Sequence, residues 1–307
     1  MSGLRAAVLL AVLTIGFYWK LTLARNYTFL DSPDLAYMTV PWYQFQARAF
    51  QRGEFPLWDP HQWCGQPVVG QMQPGAQFPL NWPLFLAPLR DGRINLDLWN
   101  WHFAFLHWLA ALFMYAYCRE LERGRFASAL AGCAFSFGGF VGGTTWPQVM
   151  NGAVWMPLIF LFYHRAGRAA SPITAIAAAA GCGASIGMAL LAGHHQAPML
   201  EILAVGGVFL FHLLTRQDRW RRIGLFAVTG VFAFLVGAAL LLPAFEYGSR
   251  AYRWVNLREP VRLDQMVPYM AQQNLALRPM ELLGLVMPIE EGTAHPFVGF
   301  VPAVLAV

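Results

Sequence analysis

The sequence predicts an all-α polytopic membrane protein, and three observations carry that prediction. The 307-residue chain is 57% hydrophobic and only 12% charged, about half the roughly 25% charge of an ordinary soluble domain, and its mean hydropathy is +0.44. Apolar runs approaching the roughly 20 residues that cross a hydrocarbon core as a helix recur along it. Its arginines gather in short loops between those runs, so the net charge of +5 reports membrane topology, and no nucleic-acid partner is implied.

Taken in order, the spans are read at residues 4–24, 98–118, 126–144, 149–163, 173–191, 199–214 and 223–245, with an eighth starting near Phe297 and reaching Val307. The first run has a long apolar core, and YWKLTLARN after it offers no small-residue cleavage site. It reads as a retained anchor rather than a signal peptide. The segment FPLNWPLFLAPL, 78–89, is too short and too rich in proline to cross, and is expected to lie in the interface or re-enter under cover of protein. The eighth run stops half-way through a membrane length, so the chain is expected to be the N-terminal part of a longer protein.

Orientation follows from the short loops. Arg5, three arginines in RELERGR, two in HRAGR and four in TRQDRWRR fall on one side, whereas TTWPQ and GHHQAP on the other side hold no Lys or Arg. By the positive-inside rule the arginine side is cytoplasmic, which puts the N-terminus inside. Two long loops then share the outer face of the cytoplasmic membrane, 25–97 and 246–296. Within the first, VPWYQFQARAFQR spaces its apolar residues as an amphipathic helix lying along the membrane surface does. Residues 1–307 therefore form a single transmembrane module. Of the cysteines Cys64, Cys118, Cys133 and Cys182, none forms a CxxC pair, so no zinc site or disulfide framework is indicated.

The outer loops hold the residues that chemistry would need. Asp31 and Asp34 sit just beyond the first span, and each has two readings. Either is a cap or turn former, as Asp, Ser and Pro commonly are, or a catalytic acid whose basicity the membrane boundary raises toward that of a general base. PLWDPHQWCGQP sets Asp59 and His61 two apart between Trp58 and Trp63. A carboxylate with an imidazole is the one opening for a divalent metal, but a tight turn anchored by aromatics explains the pattern better; no metal ligand set is assigned, and Trp58, Asp59 and His61 are kept as substrate-binding candidates, the tryptophan for stacking on a sugar. His194, His195 and Gln196 end the fifth span; they are substrate-binding candidates or interfacial polar residues. Arg250 and Arg253 follow the seventh span and suit either a phosphate clamp or attraction to anionic headgroups.

Four stretches, SPDLAYMTVPWYQF, GEFPLWDPHQWCGQPVVGQMQPGAQFPLNWP, LLAGHHQAP and LLPAFEYGSR, resemble in order the bacterial YfhO-like membrane proteins, within the GT-C glycosyltransferase superfamily. The resemblance implies a GT-C-like helix bundle, a polyprenyl-phosphate-linked sugar as donor, membrane lipids as surroundings, and a cell-envelope glycan or polymer as acceptor. It implies that a membrane-proximal acid is the base, which selects Asp34 with Asp31 second. A non-catalytic transporter or flippase of a lipid-linked substrate is the alternative, since polar groups at outer helix ends suit a translocation path as well.

Overall fold

The computed structural model describes residues 3–24, 27–30, 32–253 and 259–269. Asp31, the run near Phe297 and most of 254–296 lie outside the described residues. Helices dominate: α1 (Gly3–Phe17), α2 (Trp19–Thr22), α3 (Val40–Gln51), α4 (Trp82–Leu86), α5 (Leu96–Glu120), α6 (Arg125–Phe137), α7 (Gly139–Gly143), α8 (Pro147–Ala153), α9 (Met156–Arg168), α10 (Pro172–Leu191), α11 (Gln196–Thr215) and α12 (Arg219–Arg250). One two-residue hairpin pairs β1 (Trp58–Asp59) with antiparallel β2 (Gln66–Pro67). The chain is thus all-α in class. Four segments, Arg125–Gly143, Pro172–Leu191, Gln196–Thr215 and Arg219–Arg250, are long and apolar enough to cross a membrane.

Local chemistry explains the breaks. Proline occupies the first turn of α3, α8, α9 and α10, where a missing N–H costs nothing because no intrahelical partner exists. Asn95 caps α5 by accepting from Leu98 N at 3.2 Å, and Asp97 lies in that helix's positive first turn. The run expected as one span at 126–144 is interrupted at Gly138, between α6 and α7. The run at 149–163 is divided between α8 and α9 at Val154 and Trp155. Segment 78–89 forms a 3-10 turn at Pro79–Asn81 followed by α4, too short to cross.

Packing is closest between α10 and α12. Gly183 lies directly under the Thr229 carbonyl and Gly187 under Val236, so small residues let two backbones approach where apolar surroundings provide no hydrophobic drive between helices. Away from that seam, Leu203, Phe211, Phe234 and Leu235 are exposed, as side chains facing lipid would be. The amphipathic helix read at VPWYQFQARAFQR is present as α3. Its apolar face covers protein: Tyr43 stacks on Trp99 at 4.5 Å and meets Phe85 edge-on at 5.1 Å, and Ala47 is fully buried.

The arginine-rich loops form one end of the bundle. Arg165 Nε lies 2.7 Å from Glu120, Arg168 3.2 Å from Glu122, and Arg222 Nε 2.7 Å from Asp218. Arg221 donates to the carbonyls of Ala166 and Ala169, joining the C-terminus of α9 to the start of α12. These pairs are mostly exposed and individually weak; their geometric consequence is a ring of helix ends rich in cations.

Candidate functional site

The four sequence stretches named above are separated by up to about two hundred residues and meet at the opposite end of the bundle. The first joins the second where Trp42 Nε1 donates to Gln62 Oε1 at 2.9 Å, and one residue past its end Gln46 Nε2 donates to the Pro74 carbonyl at 2.8 Å. The second joins the third at Gly193, which adopts φ +95 and sits against the carbonyls of Met72 and Gln73. A side chain there would strain the backbone and strike the loop, so glycine is required. The second also joins the fourth: Gly70 rests on Tyr247 and the Pro243 carbonyl. Phe78, Leu191, Ala192 and Leu240 form the apolar floor beneath them.

A buried polar cluster lies beside this junction. Asn81 Nδ2 donates to the Tyr43 hydroxyl at 3.0 Å, while Asn81 Oδ1 lies 3.1 Å from His102 Nε2 and accepts from Asn151 Nδ2 at 3.4 Å. An amide carbonyl only accepts, so His102 presents its Nε2–H tautomer here. Tyr43, Asn81 and Asn151 are fully buried. Burial pushes the Tyr43 phenol above its ordinary range, against a smaller opposing effect of its bonds with Asn151 and Asn81. Four elements, α3, the Pro79–Asn81 turn, α5 and α8, are therefore tied by a single amide.

The residues singled out from sequence are distributed unevenly around this junction. Asp34 is exposed at the start of the helical run leading into α3, and its side chain makes no cap bond. Asp59 is buried, and its Oδ1 accepts from His61 N at 2.9 Å, which is the Asx turn that the residue types favoured. The His61 ring instead faces Phe45, and Trp58 covers Gly65. His194 and His195 stack at 5.4 Å; His194 is half-buried, while His195 and Gln196 are exposed. Burial, and then the neighbouring His195, lower the His194 pKa from its usual value. Arg250 pairs with Glu246 at 3.1 Å, and the Arg253 backbone bridges to Val261; both arginines are exposed. Among the described residues no group of three or more His, Cys, Asp or Glu side chains converges, and all four cysteines are free.

Sequence reasoning passed over Tyr43, His102 and Asn151, which lie inside apolar-looking runs. It quoted Asn81 only as part of a motif. It also passed over Glu201, which is 4% exposed with neither carboxyl oxygen hydrogen-bonded, and Gln148, buried with both amide atoms unpartnered. Glu201 shares a stripe of α11 with Ala197, Pro198 and Val205, and Ala197 and Pro198 pack on Gly152 of α8. The signal available was helical spacing: a polar residue on the buried stripe of an amphipathic helix is conspicuous once the stripe is drawn. A further cavity of about 470 Å³ is walled by aromatics including Tyr18, Tyr27, Phe29 and Phe103, with Lys20 among its lining residues.

Fold and site together define a helical membrane protein with a polar, loop-covered junction at one end and an arginine-rich ring at the other. Compared with protein-family models, with curated proteins and with solved structures, the chain matches none.

Proposed function

We propose that this chain is a glycosyltransferase of the cytoplasmic membrane, moving a sugar from a polyprenyl-phosphate donor to a cell-envelope acceptor on the outer face. In this reading the chain crosses seven times within the described residues, with the arginine-rich end in the cytoplasm. The observation that carries the proposal is the meeting of four distant stretches at the end opposite those arginines. A lipid-anchored donor holds its sugar at headgroup height, which is where such a junction would lie, and nucleotide-sugar chemistry belongs to the other side.

Asp34 is the proposed base. Being exposed, it is reachable by an acceptor hydroxyl and would take that hydroxyl's proton as the oxygen attacks the anomeric carbon. The bond from that carbon to the phosphate oxygen breaks, and polyprenyl phosphate leaves with the electron pair. Arg250 and Arg253 would offset the leaving charge. Lys20, beside the aromatic walls of the 470 Å³ cavity, is a further cation suited to a lipid phosphate. Asp31 is the alternate acid, and His194, His195 and Gln196, in the third stretch, would hydrogen-bond the sugar.

The test is the full-length protein in vesicles loaded with radiolabelled polyprenyl-phosphate sugar. Acceptor-dependent release of label is expected, and Asp34→Asn should abolish it while insertion stays normal. Full activity in that variant removes Asp34 from the mechanism. Donor that changes leaflet without losing its sugar would support the non-catalytic transport reading, which the buried, unpartnered Glu201 favours.

A further inference from the structure

At the arginine-rich end a cavity of about 390 Å³ opens between α9, α11 and α12. Tyr163, His164 and Arg168 line it from the end of α9, His212 and Arg216 from the end of α11, and Arg222 from the first turn of α12. Cationic groups from three helices thus surround one volume. Arg222 is fixed by Asp218 at 2.7 Å and Arg168 by the exposed Glu122 at 3.2 Å, while Asp218 also faces Arg221 at 3.7 Å. Arg216 belongs to none of the ion pairs among the described residues. With Arg165 and Glu120, paired at 2.7 Å beside His164, five arginines face three carboxylates, leaving an excess of positive charge for an anion to meet. One wall is rigid: Tyr163 Oη lies 3.0 Å from His212 Nδ1, and the two rings stack at 5.9 Å.

The cavity adjoins an apolar slot. Tyr163, Gly167 and Arg222 line both, and the slot adds Ala166, Phe209, Leu225 and Thr229. Phe209 is held by stacking on Phe226 at 4.1 Å. From Arg222 to Thr229 the helical rise amounts to about 10 Å, so the slot runs from the cationic chamber toward the middle of the bundle. The slot itself admits only about 20 Å³, about one water molecule, so it is an apolar margin beside the charged chamber, as an amphiphile's headgroup would meet where its tail begins. Free inorganic phosphate would meet the cations and leave the apolar margin unused.

We propose that this chamber binds the headgroup of an anionic membrane phospholipid, its phosphate on Arg216 and Arg222, with the apolar margin at Phe209 and Leu225 on the side of its acyl chains. Guanidinium groups hold phosphate oxygens by charge-assisted, two-pronged hydrogen bonds, and basic pockets between helices at the cytoplasmic side suit such headgroups. The site lies at the end opposite the junction of the four stretches and is independent of the sugar-transfer reading.

The experiment is native mass spectrometry of the purified full chain in neutral detergent, titrated separately with phosphatidylglycerol, phosphatidylcholine and inorganic phosphate. Phosphatidylglycerol should bind about tenfold more tightly than phosphatidylcholine, and Arg216→Gln should weaken it about tenfold, the worth of one charge-assisted contact. Arg219→Gln, at an exposed arginine outside the lining, should leave binding unchanged. Equal losses in the two variants would overturn the site in favour of diffuse surface charge. Inorganic phosphate binding as tightly as phosphatidylglycerol would overturn the lipid as its occupant.

Discussion

Removing a single oxygen from Tyr43 tests whether the polar cluster locks the first loop onto the bundle. Tyr43 is fully buried, and its hydroxyl accepts from Asn81 Nδ2 at 3.0 Å. Tyr43→Phe keeps the ring, hence the stack on Trp99 at 4.5 Å and the edge contact with Phe85 at 5.1 Å. What it deletes is the acceptor, leaving a buried amide N–H of Asn81 short of a partner. That penalty is about 1–3 kcal/mol, which for a chain of this size lowers the unfolding midpoint by about 2–5 °C. Tyr43→Leu also abandons both aromatic contacts and should cost about 3–5 kcal/mol. Both are read by tryptophan fluorescence on heating the detergent-purified protein. A wild-type midpoint for Tyr43→Phe would refute the reasoning, because the cluster would then be wet enough for water to replace the phenol.

Other outcomes follow from the same geometry. Asp34→Asn should insert normally and lose transfer in the vesicle assay. Asp59→Ala removes the acceptor for His61 N and should loosen the hairpin by about 1 kcal/mol, seen as faster proteolysis within 58–67, while the junction at Gly193 is unaffected. His194 carries a pH signature: its folded-state pKa is lowered by burial and by His195, so the unfolded chain binds the proton more readily. Its contribution to stability is complete above the ordinary histidine value of about 6.5 and is lost as pH falls below it. The unfolding midpoint should therefore drop between pH 7 and pH 5, and His194→Gln should flatten that slope.

Much of the helical frame was legible in the chain. The amphipathic run at VPWYQFQARAFQR is α3, and segment 78–89 is too short to cross, because spacing and proline placement are local properties. Breaks at Gly138 and at Val154–Trp155 were read through as continuous spans: glycine at 138 and proline at 157 fit an unbroken membrane helix as well as an interrupted one, and hydropathy does not register where a backbone turns. Asp59 shows the reverse. Its turn-forming reading was available from residue type, and the bond to His61 N bears it out.

The candidate site divides in the same way. Asp34 and the paired histidines stood out because they are polar in or beside loops. Tyr43, His102, Asn151, Gln148 and Glu201 did not, since each lies within a helical run rather than a loop and only the packing of α3, α5, α8 and α11 shows that they are buried. The proposed arginine clamp illustrates the limit of spacing: Arg250 and Arg253 are three apart, yet Arg250 is engaged by Glu246 at 3.1 Å.

Composition and the placement of apolar runs specify a helical membrane chain, because burying hydrocarbon surface and satisfying the backbone in lipid leave few other solutions. Which residues from distant loops share a surface is a different question. It is decided by close approaches that carry no signature along the chain, such as Gly193 against the Met72 carbonyl, Gly70 against Tyr247, and one amide of Asn81 joining Tyr43, His102 and Asn151. Those contacts depend on how whole helices seat against one another, and that is a property of the assembled bundle.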